Sequence, residues 1–293
     1  MFVKAIETAA DFTRAIHSIS RNYGSQIIQA GAATLFFVNS DGWALTCRHV
    51  AELMPAADQL LAKRQAFTNE LAAHRGEKKV KLLVRELEKK YGYSKETTFE
   101  LFNRLVNCVE GPLDLEKKVH PSLDVALLHF RNFTQLGCTS FPKFAINGAE
   151  LKQGKYICRL GFPFAEFTNY AYDAPTDKIL WTETGRTDTP RFPIEGMVTR
   201  HVVDESGIIG FELSTPGLRG QSGGPAFDTN GVIWGMQSMT AHLDLDFDVN
   251  QEVIRAGKRR KVSDSAFLHV GFCIHVDVLK SFMKDNNVQF QEA

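Results

Sequence analysis

The sequence predicts a mainly β fold, and two features of its patterning carry that expectation. Short runs rich in Val, Ile and Phe recur through the chain, among them ATLFFV, DVALLHF, KYICRLGF, GIIGFEL, GVIWGMQSM and FLHVGFCI. Gly, Pro, Asn or Asp separates one run from the next, the texture of a barrel or sandwich built from short strands. In addition, Asp41-Gly42 is a hairpin dipeptide, flanked by an apolar strand at 32–38 and a second strand at 43–46 that leads to His49.

Helical spacing interrupts this texture in three places. Phe2, Ile6, Ala9, Ala10, Phe12, Ile16 and Ile19 predict an amphipathic helix over residues 2–19, within an N-terminal helical extension over 1–29. Residues 56–109 predict an insertion of three helices. Their apolar faces carry Leu60, Phe67 and Leu71, then Val80, Leu83, Val84, Leu87 and Tyr91, then Phe102, Leu105, Val106 and Val109. Thr97 and Glu100 have the spacing of a capping box before the third. Near the C-terminus, VDVLKSFMKDN reads as a closing helix, and residues 251–264 read as an exposed basic loop.

Composition narrows the function classes. The chain has 293 residues, 44% of them hydrophobic and 23% charged, which is ordinary for a folded protein with a sizeable core. Lys plus Arg and Asp plus Glu are both 34, so the zero net charge gives no global argument for a polyanionic partner. Lys78, Lys79, Lys81 and Arg85, with Arg259 and Arg260, form basic clusters without interleaved aromatic residues, and a solvated face is the simpler reading than a nucleic-acid surface. The five cysteines include no CxxC pair, which argues against a disulfide framework or a four-thiolate zinc site and fits a reducing compartment. The charged N-terminus does not read as a signal peptide, and no segment approaches a membrane span, so a cytoplasmic location without membrane association is expected. Asp244, Asp246 and Asp248 alternate, but Val249 and Arg255 stand where a calcium loop needs Gly and Glu. No metal and no organic cofactor are expected.

The stretch GLRGQSGGPAFD, residues 217–228, surrounds one hydroxyl with four glycines. A serine hydroxyl is a poor nucleophile until an imidazole takes its proton and a carboxylate orients that imidazole. Glycines beside it allow a tight turn whose backbone N–H groups face a developing oxyanion. Candidates for base and acid are His49, just after a strand in ALTCRHV, and Asp124, just before one in DVALL. The three lie 75 and 98 residues apart in the order His, Asp, Ser, so only a tertiary fold could assemble them.

These segments resemble the trypsin-like serine peptidases, closest to the HtrA/Deg-like branch. ALTCRHV is similar to the segment of the catalytic histidine, DVALL to that of the aspartate, and GQSGGP to that of the nucleophile. RLGFPF, GMVT, GVIWGMQS and GFCIHVDVLK are similar to further family segments in the same order. The resemblance covers roughly residues 30–55 and 120–285. It implies a double six-stranded β-barrel with a helical insertion and terminal helices. The first barrel would occupy 30–145, with the insertion at about 56–109, and the second 146–293 with its C-terminal helix. No PDZ domain is recognised after it. The long insertion departs from the family pattern and is a candidate surface for a regulatory protein partner.

The resemblance further implies a serine endopeptidase acting on a polypeptide substrate through an acyl-enzyme. His49, Asp124 and Ser222 would be the triad, Gly220 and Ser222 the oxyanion donors, and Ser238 a support for Asp124. The pocket would be walled by Pro216, Gly217, Leu218 and Arg219, by Ser238, Met239 and Thr240, and by Gly271, Phe272 and Cys273. No acidic residue lies near the expected floor at Pro216, which favours a neutral or apolar side chain over a basic one; His269 is an alternative polar contact. Residues 170–191 resemble a regulatory surface loop, with structural tethering as the plainer reading. Gln221 stands where members switched on by a liberated N-terminus carry aspartate, and no Ile-Val-Gly-Gly segment is present, so that switch is not expected. The alternatives are a catalytically silent protease scaffold used for binding and, behind it, a nucleic-acid-binding protein.

Overall fold

The computed structural model describes residues 1–74, 80–205, 207–255 and 257–293. The N-terminal half contains α1 (Val3–Phe12), β1 (Thr13–Asn22), β2 (Gln29–Phe37), β3 (Trp43–Thr46), α2 (Arg48–Ala51), α3 (Leu53–Ala73), α4 (Val80–Tyr91), β4 (Thr98–Leu105), β5 (Val109–Glu110), β6 (Asp114–Val119), β7 (Ala126–Arg131) and β8 (Gln135–Leu136). The C-terminal half contains β9 (Lys143–Phe144), β10 (Tyr156–Gly161), β11 (Tyr170–Asp173), β12 (Lys178–Trp181), β13 (Phe192–Asp204), β14 (Gly207–Leu213), β15 (Pro225–Phe227), β16 (Val232–Arg255), β17 (Lys258–His275), α5 (Val276–Asp285) and β18 (Gln291–Glu292).

The first sheet is six-stranded, in the order β4-β1-β2-β3-β7-β6. The second runs β15-β10-β13-β14-β17-β16, and β16 pairs back onto β15, so six strands close a ring. The short β9 and β18 add to it in parallel. A barrel of this kind satisfies its own edge strands, and its inward residues fill the interior. The core is continuous between the halves: the rings of Phe36 and Phe144, both fully buried, lie tilted at 6.5 Å, and Phe12 packs on Phe36. Burying each such ring stabilises the fold by roughly 2–3 kcal/mol.

The helical extension expected over residues 1–29 ends at Phe12. Thr13 turns extended (φ −100°, ψ 132°), and β1 pairs with β2 from Thr13↔Phe36 to Ser20↔Gln29. Ile16 and Ile19 sit at helical spacing from Phe12, but a full ladder of inter-strand bonds and burial in the sheet outweigh that local rhythm.

The insertion holds two of the three expected helices. The third apolar run is β4, which pairs with β1 from Ile16↔Leu105 to Asn22↔Thr98. Glu100 caps no helix. It is buried between Arg21 and Arg64, the latter at 2.9 Å, and accepts from the Ile179 amide at 3.2 Å. The Asp177 carbonyl oxygen accepts from both guanidinium groups. α3 therefore attaches to the sheet through a buried ion cluster as well as through Phe67, which meets Tyr93 and Phe99 edge-on. The residues expected to form a basic loop pair instead as the outer end of the β16–β17 hairpin, from Gln251↔Val262 to Arg255↔Lys258. Their dense Lys and Arg content hides strand alternation. α5 forms as expected, with the His275 ring accepting from the Asp277 amide. Among the described residues, no helix is long and apolar enough to cross a membrane.

Candidate active site

β3 ends at Thr46, Cys47 is buried, and α2 begins at Arg48, so His49 is carried on a helical turn pinned to the sheet. Asp124 emerges from a turn just before β7, the strand paired with β3. This pairing brings the two together. His49 Nδ1 lies 3.0 Å from Asp124 Oδ1 and 2.9 Å from Oδ2, and the His49 amide donates to Oδ1 at 3.1 Å. A carboxylate facing Nδ1 favours the tautomer with its proton there, which leaves Nε2 as the acceptor. Burial pushes the Asp124 pKa up, but hydrogen bonds from His49 and Ser238 outweigh it and hold the carboxyl below its usual range. Ser238 Oγ donates to Asp124 Oδ2 at 2.5 Å.

Ser238 also meets the serine in the glycine-rich stretch. Ser222 Oγ donates to the Ser238 carbonyl oxygen at 3.0 Å, and none of its hydrogen bonds goes to His49. The surrounding loop is tightly specified. Gln221 N donates to Leu218 O, Gly223 N to Gln237 O and Gly224 N to Gln221 O, while the N–H groups of Gly220 and Ser222 take part in none of these bonds. Gly220 (φ +102°) and Gly223 (φ +86°) adopt the left-handed conformations this requires. A Cβ at Gly223 would lie 2.1 Å from Thr34 O, and one at Gly220 would lie 2.5 Å from Phe162 O.

Thr34, in β2, fixes the loop from the opposite sheet. Its amide donates to Ser222 O at 3.0 Å, and its hydroxyl donates to Gly220 O at 2.8 Å while accepting from Phe162 N at 3.2 Å. Thr46 Oγ1 in turn donates to Thr34 O at 2.7 Å. Gln221 is fully buried; its Oε1 accepts from Leu218 N at 3.0 Å and its Nε2 donates to Phe192 O at 3.1 Å. Sequence reasoning missed the role of Thr34, whose strand gave no sign of a partner 186 residues away.

The expected pocket walls converge in part. Thr240 lies opposite Gly271 in the β16–β17 ladder, and its hydroxyl donates to Gly217 O at 2.6 Å. Gly271 N donates to Thr215 O at 2.8 Å. Pro216 and Leu218 are half-buried, and Arg219 and Met239 are exposed at the rim. Phe272 departs from the expectation: its ring occupies the space over Gly210, since neighbouring residues of a strand face opposite ways. Cys273 is fully buried beneath Gln237, its thiol pushed up to about 12 by burial. His269 pairs with His242 at 2.6 Å on the exposed hairpin. The sequence reading also missed Arg159 and Gln237, which lie behind these walls. An arginine flanked by buried Cys158 and Leu160 in YICRLGF was the available signal.

Cys47, His49 and Asp124 bring donor atoms within 4.8 Å of one another. Burial drives the Cys47 pKa well above its ordinary value, the neighbouring Asp124 adds to the shift, and its thiol donates to Gln237 O at 3.3 Å. Asp244, Asp246 and Asp248 lie along β16. Of the basic residues, Lys81 and Arg85 lie on α4 and Arg259 and Arg260 on β17, while Lys78 and Lys79 lie outside the described residues. All five cysteines are free and buried.

Residues 33–236 match the family described as the trypsin-like peptidase domain, a span that includes His49, Asp124 and Ser222. None of the curated proteins matches the chain. Among solved structures, the chain is similar to the HtrA-type protease AlgW with decapeptide, at 12% identity and a TM-score of 0.49, over 97% of this chain and 66% of that one. It is also similar to the same protease with tripeptide, at 12% identity and a TM-score of 0.48, over 97% and 62%. The chain spans less than two thirds of the length of these structures.

Proposed function

Since the chain belongs to the trypsin-like peptidase domain family, we propose that it is a serine endopeptidase acting through His49, Asp124 and Ser222. The observation that carries this reading is the continuous path Ser222–Ser238–Asp124–His49, with successive contacts of 3.0, 2.5 and 2.9 Å. It joins the serine of the glycine-rich loop to an imidazole already oriented by a carboxylate.

The chemistry follows from the residues. Ser222 Oγ leaves the Ser238 carbonyl oxygen by rotation about χ1 and attacks the peptide carbonyl carbon. Its proton passes to His49 Nε2, and Asp124 supports the resulting imidazolium through Nδ1–H. The uncommitted N–H groups of Gly220 and Ser222 receive the oxyanion. His49 then gives its proton to the leaving amine, the amine departs, and water attacks the ester with His49 again as base; the bond to Ser222 Oγ breaks, the new acid product leaves, and His49 returns the proton to Ser222. Gln221 does for the loop what a charged anchor would otherwise do, holding Leu218 and Phe192 by neutral hydrogen bonds, so the loop is shaped without a new chain terminus. The experiment is hydrolysis of a casein-type or peptide-library substrate by wild type, Ser222→Ala and His49→Ala. Cleavage by wild type that both variants lose supports the reading; equal cleavage by all three contradicts it.

A further inference from the structure

Behind the walls of the expected pocket lies a buried cation that no anion balances. Arg159, on β10, is fully buried. Its guanidinium donates to Gln237 Oε1 at 2.7 Å, to Thr215 Oγ1 at 2.6 Å, to Thr215 O at 3.1 Å and to Pro216 O at 3.2 Å. Its Nε has no partner. Among the described residues, no carboxylate lies within ion-pair distance of it. Buried charges are ordinarily paired, because neutral dipoles only partly replace the lost hydration.

The position of this cation is specific. Gly271 faces Thr240 across the β16–β17 ladder, and a Cβ built at Gly271 would lie 2.0 Å from Arg159 Nη1. The guanidinium thus takes the space into which a side chain from that wall would project. Gln237 stands in front of it. Its Oε1 accepts from Arg159, and its Nε2 donates to Met239 O at 2.7 Å and sits 2.3 Å from where a Cβ on Gly217 would be. The Thr240 hydroxyl, bonded to Gly217 O, crosses the same space. The recess expected between these walls ends on the Gln237 carboxamide, itself 1% exposed, whose oxygen is held by a cation and whose nitrogen has a second hydrogen beyond the one given to Met239 O.

Resting on the peptidase reading above, we propose that the chain selects a short acidic side chain, aspartate, on the substrate residue that precedes the cleaved bond, and that Arg159 acting through Gln237 determines this choice. A carboxylate entering the recess meets the second Gln237 N–H and the field of the unbalanced guanidinium. Lysine or arginine meets the same field with the wrong sign. Glutamate and large apolar side chains meet Gln237 and Thr240 before they can seat. Arg159 touches no reacting atom; it is a specificity determinant that works through its neighbour.

The test is cleavage-site profiling of a peptide library with all residues at the preceding position, read by mass spectrometry. For wild type, cleavage after aspartate should exceed cleavage after alanine by at least about tenfold, with cleavage after lysine lower still. In Arg159→Met the ratio of aspartate to alanine should fall to about one. Gln237→Glu supplies an internal carboxylate to the guanidinium; it should keep or raise the thermal midpoint while losing the aspartate preference, a combination that a purely structural role would not produce. This variant decides the matter if Arg159→Met does not fold. Ser222-dependent cleavage that favours basic or large apolar residues, or an aspartate preference that survives in Gln237→Glu or folded Arg159→Met, overturns this inference and leaves the peptidase reading standing. Absence of any Ser222-dependent cleavage overturns both.

Discussion

Ser238 holds Asp124 with its hydroxyl, at 2.5 Å. The same residue's carbonyl oxygen accepts the hydroxyl of Ser222 at 3.0 Å, so one residue couples the proposed acid to the proposed nucleophile. Removing the Ser238 hydroxyl takes away one of the bonds that hold the Asp124 carboxyl below its usual range against the upward push of burial. The carboxylate should then protonate at a higher pH. In Ser238→Ala the Asp124 carboxyl titration, read by NMR, should move to higher pH, and kcat/KM near neutrality should fall by about tenfold. An unmoved carboxyl titration would count against the role assigned to Ser238.

Thr34 is the second prediction. Its hydroxyl links Gly220 O and Phe162 N, on either side of the proposed oxyanion site. Thr34→Val keeps the shape and removes both bonds. We expect kcat to fall by about ten- to a hundredfold with KM nearly unchanged, because donors that serve the transition state contribute little to ground-state binding. A change confined to KM would contradict this.

The Glu100 cluster predicts a stability effect away from the site. Glu100 is the buried anion between Arg21 and Arg64, and all three side chains are almost fully inaccessible. Glu100→Gln leaves buried Arg64 without its carboxylate and Arg21 with only the exposed Asp177 carboxylate at 3.0 Å, which should destabilise the fold by about 3–5 kcal/mol. Chemical denaturation of the two proteins measures it directly. A change below about 1 kcal/mol would show that the cluster is dispensable.

His17 predicts a pH dependence. It is fully buried, stacked on Phe167 at 3.9 Å, with Nε2 2.8 Å from Thr189 Oγ1. Burial, aided by the nearby Arg104 charge and opposed by Asp188, lowers its pKa to about 4. The unfolded chain takes up this proton near its ordinary value of about 6.5. The neutral ring's contribution to stability is therefore complete above about pH 6.5 and declines as pH falls from there toward about 4. His17→Phe should flatten this part of the stability curve, and thermal melts between those limits read it.

The candidate site was legible in the sequence where local chemistry carries its own mark. Ser222 announces itself by its glycines, and His49 and Asp124 by their places beside apolar strands. Arg159 meets Gln237 across 78 residues and Thr34 meets Gly220 across 186, and nothing in their own segments names those partners. The same physics explains the misread elements. Ile16 and Ile19 continue the helical spacing from Phe12, and Phe102 and Leu105 share such spacing, yet the pairing of β1 with β4 makes both segments strands. A helical rhythm is a local signal, whereas a strand ladder is settled by a partner that lies far along the chain. In the 251–262 hairpin the charged residues masked the alternation that pairing requires.

The most direct measurement of the central claim is covalent labelling by a fluorophosphonate, followed by identification of the modified peptide. The reagent needs a serine activated by a base and an oxyanion site able to receive its phosphonyl oxygen. Wild type should be modified at Ser222 in the peptide spanning 217–228. His49→Ala should lose about a thousandfold or more in labelling rate, and Ser222→Ala should not label at all. Labelling at another residue, or labelling of Ser222 at the same rate without His49, would contradict the account.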